Sequence, residues 1–339
     1  MRILFVGVFE PPQSSHHPMA RELRALGHDV EEFDYRRLER LGRPGSAWGL
    51  RALKLVSLLR APWMPRFAAL LLFSLPGMRQ QMNARLLDKV RRNRYDLVLL
   101  AKAELVDCRL VEEINQHSRT WYYFMDPLAM ARSMRAAEYA RRATFSSASR
   151  KNVAELFERA GGRSLFLTQG VQTEIFNRGP GAAKTADVVF VGRLLPHREA
   201  AIRHLRLHGI SVATYGLDGD NPPVYLEALR DLYRGAKIAL NLNSDPGSTG
   251  FSLRVFQVLG SGTMLVSEHC RDLELLFTRG GEMEWFKTPD EALEIIGRYL
   301  KEDDARERLA RAGCKAVHER FTWRQIMSTI CDTVEKARP

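Results

Sequence analysis

The sequence predicts an α/β protein made of two Rossmann-like, doubly wound domains. Three observations carry that expectation. First, one β-α-β design occurs twice. Ile3-Leu4-Phe5-Val6-Gly7 leads through a helix at 19–26 to Gly27-His28-Asp29-Val30. Asp187-Val188-Val189-Phe190-Val191-Gly192 leads through Leu205-Arg206-Leu207 to Gly209-Ile210-Ser211-Val212. Phe-Val-Gly closes the first strand in both copies, at 5–7 and 190–192. Second, the other candidate strands are almost continuously apolar, as in parallel sheets covered on both faces. Third, 339 residues exceed one ordinary domain and suit two of about 150 each.

The remaining elements follow in order. Strands are expected at 95–100 (Tyr-Asp-Leu-Val-Leu-Leu), 120–124, 212–215, 237–242 and 264–266. Asn177 to Lys184, with Gly179-Pro180-Gly181, is the best linker. Charged helices are expected at 291–300, 305–320 and 323–336. The domains are therefore drawn at 1–176 and 187–322, with 177–186 between them.

Hydrophobic residues make up 45% and charged residues 27%, which excludes a disordered chain. Four scattered cysteines, Cys108, Cys270, Cys314 and Cys331, fit neither a disulfide scaffold nor a zinc cluster and suit a reducing cytoplasm. The net charge of +11 is local. Between Arg36 and Arg94 stand fourteen basic residues against two acids, Glu39 and Asp88, so this stretch holds +12 and the rest is near neutral. Its longest uncharged run, 67–78, has twelve residues, short of the about 20 that a spanning helix needs. The apolar start is short and runs into Glu10-Pro11-Pro12, so no signal peptide is expected. Residues 47–79, basic and bearing Trp48 and Trp63, fit peripheral contact with an anionic membrane. They equally fit ordinary helices with solvated arginines, or contact with an acidic acceptor. Nucleic-acid binding is not expected, because no aromatic-rich motif accompanies the arginines.

Neither strand-ending glycine opens a G-x-G-x-x-G, since Val8-Phe9-Glu10 follows Gly7 and Arg193-Leu194-Leu195 follows Gly192. A dehydrogenase is therefore not expected, and no phosphate-loop NTPase motif occurs. Two other features suit anions. Arg193 and Arg198 follow the second domain's first strand, where ligands bind in such folds, and guanidinium groups there can meet a diphosphate. Solvated arginines at a helix start are the bland alternative. The run Ser244-Asp245-Pro246-Gly247-Ser248-Thr249-Gly250-Phe251-Ser252-Leu253-Arg254 lies between a strand and a helix. Its small residues let backbone amides approach a phosphate. Asp218-Gly219-Asp220 reads as a turn rather than a metal site, and no metal is expected. His16-His17 and Asp126 sit in loops at strand ends, where they can touch an acceptor or move a proton. A solvated histidine pair and a helix-capping aspartate are the competing readings.

Taken together, these residues resemble the GT-B glycosyltransferases, most closely the CgeB-like (spore maturation) branch of the retaining, group 1 type. The resemblance is carried by Asp187 to Arg193, Ala213-Thr214-Tyr215-Gly216, Tyr233 to Asn241, Phe251 to Ser267 and Ala312 to Trp323, with Thr168 to Phe176 upstream. It implies two Rossmann domains facing a cleft, with the final helix, 323–339, packing back on the first. The second domain would hold a nucleoside diphosphate sugar, of UDP type, as donor substrate rather than cofactor. Gly192, Arg193, Arg198, Tyr215, Gly216, the loop 247–253, Arg254 and Gln257 would line that site. The first domain would take a glycan, lipid, protein or small-molecule acceptor. Asp126, His16 and Arg193 are the catalytic candidates. Relatives carry two glutamates where this chain has Thr249 and Gln257, and Gln257 can hydrogen-bond a ribose only without charge. The expected reaction is metal-independent sugar transfer with retention. The rivals are an epimerase on the same donors and a catalytically degenerate partner protein.

Overall fold

A computed structural model describes residues 1–36, 77–180, 183–245 and 247–337. Almost all of the expected membrane-contact stretch, 47–79, lies outside these residues, as do Gly181 and Ala182 of the linker and Pro246 of the anion loop.

The chain divides into two compact units, one of residues 1–149, 153–166 and 330–339, the other of 150–152 and 167–329. The N-terminal unit was expected to reach 176, but residues 167–176 belong to the second unit. Val171 bridges Thr322 in parallel, and the Val171 N–H donates to the Phe321 carbonyl at 2.8 Å. The last helix, Trp323–Lys336, was expected to pack wholly on the first domain. Only its part from Ile330 does so, with Arg119 Nη2 donating to the Ala337 carbonyl at 2.8 Å. Trp323 stays buried in the second unit, its N–H donating to the Val171 carbonyl.

The N-terminal unit holds a six-stranded sheet of order β2-β1-β3-β4-β5-β6. These strands are β1 Arg2–Gly7, β2 Asp29–Asp34, β3 Leu97–Ala101, β4 Arg119–Phe124, β5 Phe145–Ala148 and β6 Ser164–Phe166. Every pairing is parallel. Helices α1 His16–Ala25, α2 Met78–Arg92, α3 Leu110–Asn115, α4 Leu128–Ser133, α5 Ala136–Arg142 and α6 Lys151–Arg159 join them. Helix α1 starts three residues before the expected position because Pro18 fits a first helical turn, where its missing N–H costs nothing. Leu4, Val98, Tyr122, Phe124 and Phe157 are fully buried in one cluster. The order reverses between β1 and β3, so their carboxyl ends form the switch point where open α/β sheets take ligands.

The C-terminal unit holds a five-stranded sheet of order β11-β10-β9-β7-β8. Its strands are β7 Ala186–Val191, β8 Val212–Tyr215, β9 Ala236–Asn241, β10 Met264–Glu268 and β11 Glu284–Phe286. Again all pairings are parallel. Val189, Ala239 and Leu265 enter one core and Val188, Ile238 and Val266 another. The two sets alternate along the strands, so both faces of the sheet are covered. The flanking helices are α7 Pro196–Leu207, α8 Leu226–Gly235, α9 Arg254–Gly260, α10 Arg271–Leu276, α11 Pro289–Lys301 and α12 Asp303–Arg320. Here the switch point lies between β7 and β9. No helix among the described residues is long and apolar enough to cross a membrane.

Candidate functional site

The loops after β7 and β9 meet at the second unit's switch point. Gly192 ends β7 with φ +152° and Gly216 follows β8 with φ +136°, values that favour glycine. A Cβ on Gly216 would fall on the Gly192 carbonyl, so the two glycines permit the close approach of these loops. The Gly192 N–H donates to the Tyr215 carbonyl at 2.8 Å, and Tyr215 is partly exposed.

Arg193 and Arg198, paired by the sequence, part company in the structure. Arg193 is exposed, and its ion pair to Asp218 at 3.6 Å is exposed too. Such a pair is weak enough to release the guanidinium to a ligand. Arg198 is 3% exposed. Its Nε, Nη1 and Nη2 donate to the carbonyls of Asn243, Arg193 and Leu242 at 3.0, 2.9 and 2.9 Å. Burial and the nearby Arg254 charge push its pKa down to about 10, and it remains a cation at neutral pH. Arg198 was expected at the diphosphate. Its donors are instead spent on backbone carbonyls, where they brace the loops after β7 and β9. Asn243 extends the brace, its N–H donating to Glu268 Oε2 at 2.7 Å.

Arg254 differs. It stands at the start of α9 with its guanidinium close under Gly192, 3.4 Å from where a Cβ would stand. Its Nε is buried with no hydrogen-bond partner. Among the described residues it has no carboxylate partner either. Burial lowers its pKa, and only the nearby Tyr233 opposes this. A cation in this state is costly unless an anion joins it. Four further polar atoms on the segment that leads to Arg254 are buried and unpartnered: Asn241 Oδ1, Asn243 Oδ1, Thr249 Oγ1 and Ser252 Oγ. They come from the end of β9 and the loop after it. Native interiors leave few such atoms, and several on one short segment call for a ligand or ordered water.

The same loop, 247–253, turns on Gly247 at φ +72°, whose Cβ position is open. Ser248 N–H closes the turn on the Asp245 carbonyl at 3.0 Å. Gly250 is buried, and Phe251 packs edge-on against Phe256, ring centroids 5.3 Å apart. Leu253 precedes α9, which has only seven residues, so the Arg254 side chain rather than a long helix dipole supplies positive charge. Gln257, on α9, is partly exposed. Asp220 accepts hydrogen bonds from Thr214 Oγ1 and from Arg206, in keeping with its reading as a turn residue.

A second polar group stands at the N-terminal unit's switch point. His16 is 6% exposed, packed by the Phe5 and Phe9 rings. Its Nδ1 accepts the Val8 N–H at 2.7 Å, and burial pushes its pKa down to about 4. His16 was expected to act as a base. Its Nδ1 lone pair is already engaged, so it stands as a neutral structural imidazole with the proton on Nε2. His17 is partly exposed beside Phe9. Asp126 caps no helix, since Pro127 occupies the cap of α4. It pairs with Lys102 at 2.8 Å, both partly exposed. Lys102 and Ala103 have φ of +64° and +54°, strained values for non-glycine residues and typical of ligand sites. Arg36 and Tyr35 both reach Glu104 in the same group.

Sequence reasoning missed Lys102, Glu104, Arg150, Asn243 and Asp272. The signal for Lys102 was present: a charge directly after the apolar run 97–101 at a strand's carboxyl end. Asp272 left no such trace, because its neighbours come from distant parts of the chain.

This architecture, two units with parallel sheets covered by helices, is that of the GT-B glycosyltransferases. Residues 193–332 match the Glyco_trans_1_2 family, described as glycosyl transferase-like. No curated protein matches the chain in sequence. Among solved structures it is similar to HepE of Anabaena in complex with UDP-glucose, at 15% identity and TM-score 0.67 over 99% of this chain and 100% of that one. It is similar to sucrose-phosphate synthase of Thermosynechococcus elongatus, at 12% identity and TM-score 0.71 over 99% and 98%. The lipopolysaccharide outer core galactosyltransferase WaaB, in its apo form, aligns at 12% identity and TM-score 0.64 over 98% and 99%. At such identities the likeness is one of fold.

Proposed function

We propose that this chain is a glycosyltransferase that moves a sugar from a nucleoside diphosphate sugar to an acceptor hydroxyl, with retention, and that it belongs to the CgeB-like branch. The observation that carries this reading is Arg254, half-buried at the switch point, with its Nε buried and unpartnered and no carboxylate partner among the described residues, at the end of a loop that holds unpartnered side-chain oxygens. A diphosphate supplies the missing charge. The UDP and UDP-glucose held by a structural neighbour favour a uridine nucleotide. Arg193 swings from Asp218 to the outer phosphate, Gln257 meets the ribose, and Arg198 keeps the loops in register.

In the reaction, the bond from the sugar's anomeric carbon to the diphosphate oxygen breaks. The acceptor oxygen bonds the same carbon on the same face, and its proton passes to the leaving phosphate. The growing negative charge is met by Arg254 and Arg193 in a site of fixed dipoles. No protein nucleophile is required. Asp126, positioned by Lys102, receives the acceptor in the N-terminal unit, and the setting is cytoplasmic.

The test is Arg254→Met. By calorimetry, UDP affinity falls at least 100-fold relative to the parent. The ligand-free variant also melts higher than the parent, because a half-buried charge without a counter-ion is gone. An Arg254→Met protein that binds UDP like the parent sinks the assignment. Product analysis with UDP-sugars separates transfer from epimerisation.

A further inference from the structure

A buried ion cluster stands behind the same loop and has no part in the chemistry just described. Arg150 is 5% exposed and Asp272 1%. Arg150 Nη1 donates to Ser248 Oγ at 3.2 Å, and that hydroxyl donates to the Gly250 carbonyl at 2.7 Å. From the other side the Asp272 N–H donates to the Thr249 carbonyl at 2.9 Å. Asp272 Oδ2 accepts the Lys151 N–H at 3.2 Å. Gly250 is gripped between them. A Cβ there would lie 2.7 Å from Asp272 Oδ2, 2.9 Å from Arg150 Cγ and 3.0 Å from Arg150 Nη1.

We propose that Arg150 and Asp272 are positioning residues, a clamp that holds residues 248–250 in the conformation that receives the donor's diphosphate. The proposal rests on the donor-site reading above. Its physical basis is entropy. A loop of Gly, Ser and Thr is conformationally free, and ordering it costs backbone entropy at every residue fixed. If donor binding had to order the loop, affinity would fall accordingly. A clamp that orders the loop during folding leaves the Thr249 and Ser252 hydroxyls and the Arg254 guanidinium fixed in advance. Taking an arginine and an aspartate out of water is expensive, and it is tolerated where their hydrogen bonds are well made. Here the Arg150 guanidinium ends on Ser248 and the Asp272 N–H on the Thr249 carbonyl, while the Asp272 carboxylate holds the Lys151 N–H and so ties the two residues' segments together.

The experiment compares the full-length parent with Arg150→Ala, Ser248→Ala and Gly250→Ala. Ser248→Ala removes only the outer end of the clamp and spares the fold if Arg150→Ala does not. Two readouts are taken, amide hydrogen exchange of the peptide covering 247–253 without ligand, and UDP affinity with steady-state kinetics. The expected result is at least 10-fold faster exchange in that peptide. UDP Kd and donor KM rise 10-fold or more, and kcat at saturating donor changes less than three-fold. A folded variant with parental exchange in that peptide overturns the clamp. So does one with faster exchange but parental UDP affinity, and in both cases the donor reading stands. A parent that binds none of UDP, GDP or ADP overturns the donor reading, and the clamp's purpose falls with it.

Discussion

His16 shows how a residue can be rightly placed and wrongly employed. Its position at the ligand edge follows from the strand that ends at Gly7. Its burial does not, because that depends on Phe5 and Phe9 closing over the ring and on the Val8 N–H turning toward Nδ1. Its titration carries a prediction. The folded pKa is about 4 against 6.5 in a free chain. Between these values the unfolded state binds the extra proton, so stability falls as pH drops through this window and is complete above it. The full effect is about 3 kcal/mol. Asn at this position can accept the Val8 N–H without titrating. Urea unfolding at pH 7.5 and 4.5 should show the parent losing about 2 kcal/mol more than His16→Asn. Equal losses would mean the imidazole titrates normally.

Among elements, the apolar strands were legible and the short, polar-patterned ones were not. Leu97–Ala101 and Ala236–Asn241 announce themselves by composition. Phe145–Ala148 carries two serines, buried by their neighbours on both sides of the sheet, and Ser164–Phe166 and Glu284–Phe286 are three-residue edge strands with too little period to read. Helix α7 was legible too, but the work of Arg198 was not. A cation in a first helical turn opposes the helix dipole, which made a ligand contact attractive. The structure resolves this locally by sending the guanidinium across to the end of β9. Arg198→Met removes three hydrogen bonds, leaving the Leu242 carbonyl without this donor while the Arg193 and Asn243 carbonyls keep only Leu195 N–H and His197 Nε2, a loss of about 2–4 kcal/mol. Urea denaturation of the ligand-free protein checks this. A residue that only touched diphosphate would leave that stability unchanged and weaken UDP binding alone.

At the scale of the whole molecule, the basic surplus still needs a role. At the switch point of the C-terminal unit stand only single cations, Arg254 half-buried and Arg193 exposed, among the described residues. Residues 37–76, outside the described part of the structure, hold seven of the fourteen basic residues of the 36–94 stretch and one acid, interleaved with Trp48, Trp63 and the apolar run 67–76. Each cation near an anionic bilayer contributes about 1 kcal/mol, and the attraction decays within a Debye length of about 10 Å at 0.1 M salt. Apolar side chains add a part that salt does not screen. A protein that reaches its acceptor at a membrane surface would therefore show two signatures together. It should sediment with vesicles containing anionic phospholipid and not with neutral phosphatidylcholine vesicles, and added salt should release most but not all of it. Replacing Arg51, Lys54, Arg60 and Arg66 with glutamate changes the stretch by eight charges and should abolish sedimentation, while UDP affinity stays at the parental value because the donor unit is untouched. Equal sedimentation of parent and variant would instead leave these arginines as a solvated surface with no membrane role.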